Sequence, residues 1–139
     1  MTSTPTDDFV QFMSRRLAAS TAFVNGDIEP LAQLSTRGSP ATIFGPRGNT
    51  VQGADKVNAA NAQGAAIFGP GASNSLEIMH QSADESLAYW VGIQRSTVNI
   101  SGQHQPLSME LRVTEIFRRE HAGWMLIHRH ADPLSSQHD

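Results

Sequence analysis

The chain has 139 residues, of which 39% are apolar and 17% charged, with a formal net charge of -3. This size and composition predict one globular domain that buries its own core. The net charge is negative, and Arg15-Arg16 and Arg118-Arg119 are isolated pairs, so the chain has no basic stripe for nucleic acid. The chain contains no cysteine, which excludes disulfide scaffolds, thiolate catalysis and cysteine-ligated zinc.

The first residues, MTSTPTDD, lack the basic start and apolar run of a signal peptide. No apolar run approaches the roughly 18 to 20 residues that a membrane span requires. We therefore expect a cytoplasmic protein that contacts neither nucleic acid nor a membrane.

Helices are predicted mainly in the first half of the chain. Residues 7–25 place apolar side chains at the spacing of an amphipathic helix. Asp27 can cap a second, short helix that runs through Leu34. Residues 54–68 have the pattern of a third helix, which Gly-Pro-Gly at 69–71 is expected to end.

Strands are predicted mainly in the second half, where branched and aromatic residues dominate between short polar breaks. The predicted strands are residues 41–44, 76–82, 86–99, 107–120 and 123–131. Three helices and a set of mostly antiparallel strands form an α+β domain, in which a curved sheet folds over the helices to bury its apolar face. Such a sheet encloses an internal pocket.

Alternation along residues 107–120 assigns the two faces of that strand. One face carries Met109, Leu111, Val113, Glu115 and Phe117, and the other carries Glu110, Arg112, Thr114, Ile116 and Arg118. The first face is apolar except for Glu115. A carboxylate in an apolar set is the informative exception.

The final strand contains the string WMLIHRHADP at residues 124–133. Strict alternation places His128 and His130 on one side, roughly 6 to 7 Å apart, with Arg129 on the other. A short turn joins this strand to residues 107–120, so the two strands are expected to be antiparallel neighbours. Glu115 and both histidines are therefore predicted to share one face.

Three strings resemble a known family: AFVNGDIEPLAQL at 22–34, ATIFGPRGNTVQGADKV at 41–57 and VTEIFRREHAGWMLIHRHAD at 113–132. They are similar to the SnoaL-like and ketosteroid-isomerase-like branch of the nuclear transport factor 2-like superfamily. The resemblance covers residues 8–132 of a single domain spanning 1–139. It implies a cone, or cystatin-like roll: a strongly curved antiparallel sheet wrapped on three helices around an apolar pocket.

The resemblance also implies a homodimer that forms through the outer face of the sheet, and it assigns positions in the pocket. The expected pocket-lining residues are Met13, Leu17, Phe44, Trp90, Leu111, Val113, Phe117 and Leu126. The position of the isomerase base falls on Gly45, and that of the oxyanion-hole tyrosine falls on or near Ala19. Only the third acid of those enzymes has a counterpart, Glu115, so the chain is not expected to be a true ketosteroid isomerase.

These observations predict a protein that binds an apolar small molecule, with Glu115, His128 and His130 as candidate catalytic residues. Burial raises the pKa of a carboxyl group, and imidazole titrates near neutral pH. The three groups would suit proton transfer on a carbonyl or hydroxyl compound, as in an isomerase, dehydratase or cyclase, without a cofactor. In that case Glu115→Gln is expected to keep the fold and abolish turnover.

Other interpretations remain open. Glu115 could be a structural carboxylate held by Arg16 or a histidine, and the histidines could pack at a wet strand end. The two histidines with Glu115 or His80 could instead hold a metal ion. A non-catalytic ligand-binding or oligomerisation module is the alternative function. A cone filled by Trp90, Phe117 and Trp124 favours the module, whereas an open pocket with Glu115 next to a histidine favours the enzyme.

Overall fold

The computed structural model describes residues 4–121 and 123–135. Within these residues the chain forms three helices, α1 (Pro5–Val24), α2 (Glu29–Leu34) and α3 (Ala54–Ala65). It also forms six strands: β1 (Thr42–Phe44), β2 (Thr50–Gln52), β3 (Phe68–Ala83), β4 (Leu87–Ile100), β5 (Leu107–Glu120) and β6 (Gly123–Pro133). None of the helices in the described part of the chain is long and apolar enough to cross a membrane.

The six strands form one sheet in the order β2-β1-β6-β5-β4-β3. Neighbouring strands are antiparallel except for β1 and β6, which are parallel. Register shifts in β3 and between β5 and β6 mark bulges, which bend and twist a sheet. The predicted α+β cone, a curved sheet folded over helices, is confirmed.

Helix α1 begins at a side-chain cap, where Thr4 Oγ1 accepts a hydrogen bond of 3.0 Å from the backbone N–H of Asp7. Its buried face repeats at helical spacing and contains Phe9, Phe12, Met13, Arg16, Ala19, Ser20 and Val24. The apolar members attach the helix to the sheet. Arg16 and Ser20 are carried into the interior with them.

An aromatic cluster fills one end of the cone. The ring of Phe117 lies 5.4 Å from that of Phe9 and 5.2 Å from that of Phe12, and Trp124 packs edge-on against Phe9. Trp90 is also fully buried. This half of the interior is therefore a packed core, which Trp90, Phe117 and Trp124 help to fill.

Two predicted boundaries were wrong around residues 65–76. Helix α3 ends at Ala65, and β3 begins at Phe68, so it includes the Gly-Pro-Gly segment that was expected to separate them. Strand β3 is the last strand of the sheet, where a proline without an N–H is tolerated. A register shift between Gly69 and Ser73 accommodates the segment.

Candidate functional site

Strand β6 contains a bulge that determines which side chains face the interior. Ile116 of β5 pairs with His128 and Phe117 pairs with Leu126, so Ile127 has no partner of its own. The extra residue reverses the alternation beyond it. Glu115 consequently pairs with Arg129, and both face inward.

The prediction that both histidines share the face of Glu115 was therefore wrong, although they do lie opposite Arg129 in the strand. His128 and His130 pair with Ile116 and Thr114, which belong to the outer face of β5. Arg129, which alternation had placed opposite Glu115, occupies the inner side instead. The predicted grouping of one carboxylate with two imidazoles is replaced by a carboxylate with two guanidinium groups.

Glu115 is fully buried and accepts four hydrogen bonds. Arg16 binds both of its oxygens, with Nε 2.8 Å from Oε1 and Nη2 2.7 Å from Oε2. Arg129 Nη1 donates to Oε2 at 2.8 Å, and Trp90 Nε1 donates to Oε1 at 2.8 Å. Arg16 therefore holds the carboxylate, as the structural interpretation of Glu115 proposed, and Arg129 is a second partner.

The same contacts set the ionisation of Glu115. Burial alone raises the pKa of this carboxyl group, but the charges and hydrogen bonds of Arg16 and Arg129 outweigh it and lower the pKa from 4.5 to about 2. Glu115 is therefore ionised at neutral pH and is too weak a base for efficient proton abstraction. Its role here is to neutralise buried arginine.

Arg129 extends the network across the interior. Its Nη2 donates to Gln94 Oε1 at 2.8 Å, and Gln94 Nε2 donates to Ser20 Oγ at 3.2 Å and to Asn74 Oδ1 at 3.0 Å. Burial lowers the pKa of Arg129, Glu115 raises it, and the charge of Arg16 lowers it. Helix α1 and strands β3 to β6 are joined through these polar side chains.

The histidines make a separate group beside β1. His128 Nδ1 lies 2.7 Å from Thr42 Oγ1, and the ring of Phe44 packs edge-on against both imidazoles at 5.0 and 5.5 Å. Burial, followed by the charge of His130, lowers the pKa of His128, so its ring is neutral at pH 7. Neither ring is among the described hydrogen-bond partners of Glu115.

The donors considered for a metal ion are not brought together. Glu115 lies within the arginine network, whereas His128 and His130 lie beside β1. His80 lies on β3, where its Nδ1 is 3.1 Å from the hydroxyl of Tyr89. Among the described residues, no three histidine or acidic side chains are grouped so that they could hold a metal ion.

A cavity of about 320 Å³ lies beside the arginine network. Of the predicted lining residues, Phe44, Leu111 and Leu126 line it. Leu17 is 38% exposed on the outer side of α1, and the remaining four predicted lining residues are packed in the core: Met13, Trp90, Val113 and Phe117. The cavity occupies the half of the cone that the aromatic cluster leaves free.

One polar part of the cavity wall consists of Arg16, Ser20, Gln94 and Arg129, which we call the arginine patch. His128 contributes at the edge near β1. Gly45 also lines the cavity, so the position that the resemblance gives to a catalytic base carries no side chain there. Ala19, at or near the tyrosine position, is buried and brings no hydroxyl group.

Comparison with known proteins agrees with this architecture. A family model described as a SnoaL-like domain matches residues 16–134. No curated protein matches the chain. Several solved structures match over nearly the whole chain.

One is a protein of the NTF2-like family from Streptomyces avermitilis, provisionally named a dehydratase, with 22% identity and a TM-score of 0.78, covering 93% of this chain and 97% of that one. Another is an NTF2-like superfamily protein from Salmonella enterica, with 14% identity and a TM-score of 0.76, covering 93% and 90%. The hub homology domain of Chlamydomonas reinhardtii CaMKII has 20% identity and a TM-score of 0.69, covering 91% and 98%. At these identities the likeness establishes the fold alone.

Proposed function

The chain belongs to the SnoaL-like domain family, and from its interior we propose that it is a small-molecule-binding protein whose cavity takes one largely apolar ligand. The observation that carries this proposal is the cavity of about 320 Å³ beside the arginine network. Its volume is at the lower end of the range typical of ligand sites, and an apolar wall with a few convergent polar groups is their usual composition.

The cavity is accessible from one side. Phe44, Pro46 and Asn49 line it and are exposed, so the mouth lies at the turn between β1 and β2. Helix α3 supplies part of the opposite wall through Val57 and Ala60. A ligand that enters beside the turn would lie between this helix and the inner face of the sheet.

We do not assign acid-base catalysis to Glu115. An acid or base that works near neutral pH needs a pKa in that range, and the two arginines hold the pKa of Glu115 at about 2. Proton transfer on a bound carbonyl or hydroxyl compound would therefore require another group, such as His128 at the cavity edge. Binding without catalysis by the Glu115 network is the function that the geometry supports best.

A cavity-filling variant tests the binding proposal with 1-octanol as the probe. Ala60→Phe places a ring in the cavity and is expected to weaken octanol binding by about tenfold or more, because the ring takes the volume that the ligand needs. Isothermal titration calorimetry measures the affinity.

The matched control is Ala59→Phe, which adds the same ring to the exposed side of the same helix. It is expected to bind octanol as the natural sequence does. Equal loss in both variants, or no octanol binding by the natural sequence, would contradict the proposal.

An assembly role is the second candidate, favoured by the likeness to the CaMKII hub homology domain. We propose a homodimer through the outer face of the sheet, where Met79 and Leu87 are 63% and 48% exposed and Ile116 is half-buried. Light scattering is expected to give twice the 15.1 kDa mass of one chain. Ile116→Asp is expected to yield the monomer. The control Val10→Asp, on the exposed side of α1, is expected to remain a dimer. A natural protein that is monomeric at micromolar concentration would contradict the proposal.

A further inference from the structure

The arginine network carries an excess of positive charge in the interior. Arg16 and Arg129 each contribute one positive charge, and Glu115 contributes one negative charge, which leaves a net charge of +1. Among the described residues that line the cavity, the ionisable ones are Arg16, His128 and Arg129, and none is acidic. An uncompensated buried charge is costly, so this part of the wall is suited to a counter-ion.

The two guanidinium groups also retain unused donors. Two of the five N–H groups of Arg129 donate to Glu115 and Gln94, so three make no hydrogen bond within the described structure. Its side chain is 21% exposed, and the residue lines the cavity. Arg16 Nη1 is buried and has no hydrogen-bond partner in the described part of the chain.

The rest of the cavity wall is mainly apolar, and its other polar residues are Ser35, Thr42, Asn49, Asn61 and His128. Phe23, Leu31, Val57, Phe68, Met109 and Leu111 surround the space away from the arginine patch. A site with one cationic side and a largely apolar remainder is complementary to an amphipathic anion. The guanidinium plane favours carboxylate oxygens in particular, because its N–H groups match their geometry.

We propose that the cavity binds a monocarboxylate with an apolar tail, its carboxylate on Arg129 and Arg16 and its tail among the apolar walls. This inference rests on the proposed binding function and adds the chemical class of the ligand. A cavity of about 320 Å³ lies at the lower end of the range of small-molecule sites. That volume suits a medium-length chain or a single substituted ring.

Three probes of equal chain length test the headgroup: octanoate, 1-octanol and octylamine, titrated at pH 7 by isothermal calorimetry. Octanoate is expected to bind at least about tenfold more tightly than octanol, because a hydrogen bond to a charged group contributes more than a neutral one. Octylamine, which is cationic at this pH, is expected to bind more weakly than octanol. Octyl phosphate tests whether the site prefers a second type of anion.

Arg129→Met tests the assigned residue. It removes the excess charge and leaves Arg16 paired with Glu115, so octanoate affinity is expected to fall by about tenfold while octanol affinity is retained. The matched control is Arg112→Met, which changes the net charge equally but lies exposed on the outer side of β5 in an ion pair with Asp132. This control is expected to preserve the octanoate preference.

The outcomes separate this inference from the binding proposal on which it rests. Equal binding of octanol and octanoate overturns the carboxylate assignment and leaves the apolar cavity supported. Tighter binding of octyl phosphate overturns the assignment to a monocarboxylate, and an unchanged preference in Arg129→Met overturns the assigned residue. If Arg129→Met does not fold, Arg129→Lys replaces it and is expected to keep part of the preference for octanoate over octanol. Failure of all the probes to bind overturns both proposals.

Discussion

Replacing Glu115 by glutamine is expected to lower the free energy of unfolding by about 3–5 kcal/mol, the typical cost of removing one partner from a buried ion pair. The substitution leaves the guanidinium groups of Arg16 and Arg129 in the interior without a negative charge. It also places an amide N–H group where an oxygen had accepted hydrogen bonds from them. Denaturant unfolding monitored by circular dichroism measures the loss.

Glu110→Gln is the matched control on the same strand. Glu110 is 47% exposed and pairs with Arg95 on the surface, so its loss is expected to cost no more than about 1 kcal/mol. A Glu115→Gln protein as stable as Glu110→Gln would show that the buried carboxylate does not neutralise the arginines. The sequence-based expectation, an intact fold with lost turnover, is thus replaced by a loss of stability.

The second large effect is a loss of stability in acid that depends on Glu115. Its pKa is about 2 in the folded protein and near 4.5 in the unfolded chain. Above pH 4.5 the carboxyl group is ionised in both states, and its full contribution to stability is present. As the pH falls from 4.5 towards 2, the unfolded chain takes up a proton at Glu115 that the folded protein does not, so this contribution is progressively lost. The shift corresponds to about 3 kcal/mol.

The measurement is the free energy of unfolding between pH 5 and pH 2 for the natural protein and for Glu115→Gln. Asp84, Glu120 and Asp132 also have lowered pKa values, and they add to the acid loss in both proteins. The difference between the two proteins isolates Glu115 and is expected to shrink as the pH falls. A difference that stays constant over this range would contradict the lowered pKa.

Strand β5 shows what the sequence could predict. Its bounds and both of its faces were predicted correctly, and Glu115 was identified as a buried exception in an apolar set. The reason is physical: β5 lies between β4 and β6, one of its faces is buried, and side-chain alternation holds through the segment. Arg16 was also named as a structural partner of Glu115, and the structure places it on the buried face of α1.

Strand β6 shows where the sequence was insufficient. Strict alternation placed His128 and His130 on the same face as Glu115, and one bulged residue, Ile127, put Arg129 there instead. The available signal for the bulge was the run of four apolar residues from Trp124 to Ile127. A strand with one buried and one exposed face alternates apolar and polar residues, so such a run departs from strict alternation. A bulge depends on pairing with the neighbouring strand, which local pattern does not contain.

The residues that line the cavity were harder still to predict from the sequence. The large aromatic residues expected on the pocket wall, Trp90 and Phe117, pack with α1 in the core instead. Gln94 and Ser20, which complete the arginine patch, were not identified, although both lie at inward positions of their elements. Whether a side chain fills the core or lines a space depends on the size of its neighbours on several elements at once.

Titration of the Glu115 carboxyl carbon by NMR, with carbon-13 in the glutamate side chains and Glu115→Gln for assignment, tests the central claim most directly. The claim is that two arginines keep this carboxylate ionised as a structural counter-charge and leave the cavity wall cationic. The account predicts a resonance that is constant at neutral pH and through mild acid, and that titrates near pH 2. A midpoint above its ordinary value of 4.5 would contradict the claim and return Glu115 to consideration as a catalytic acid.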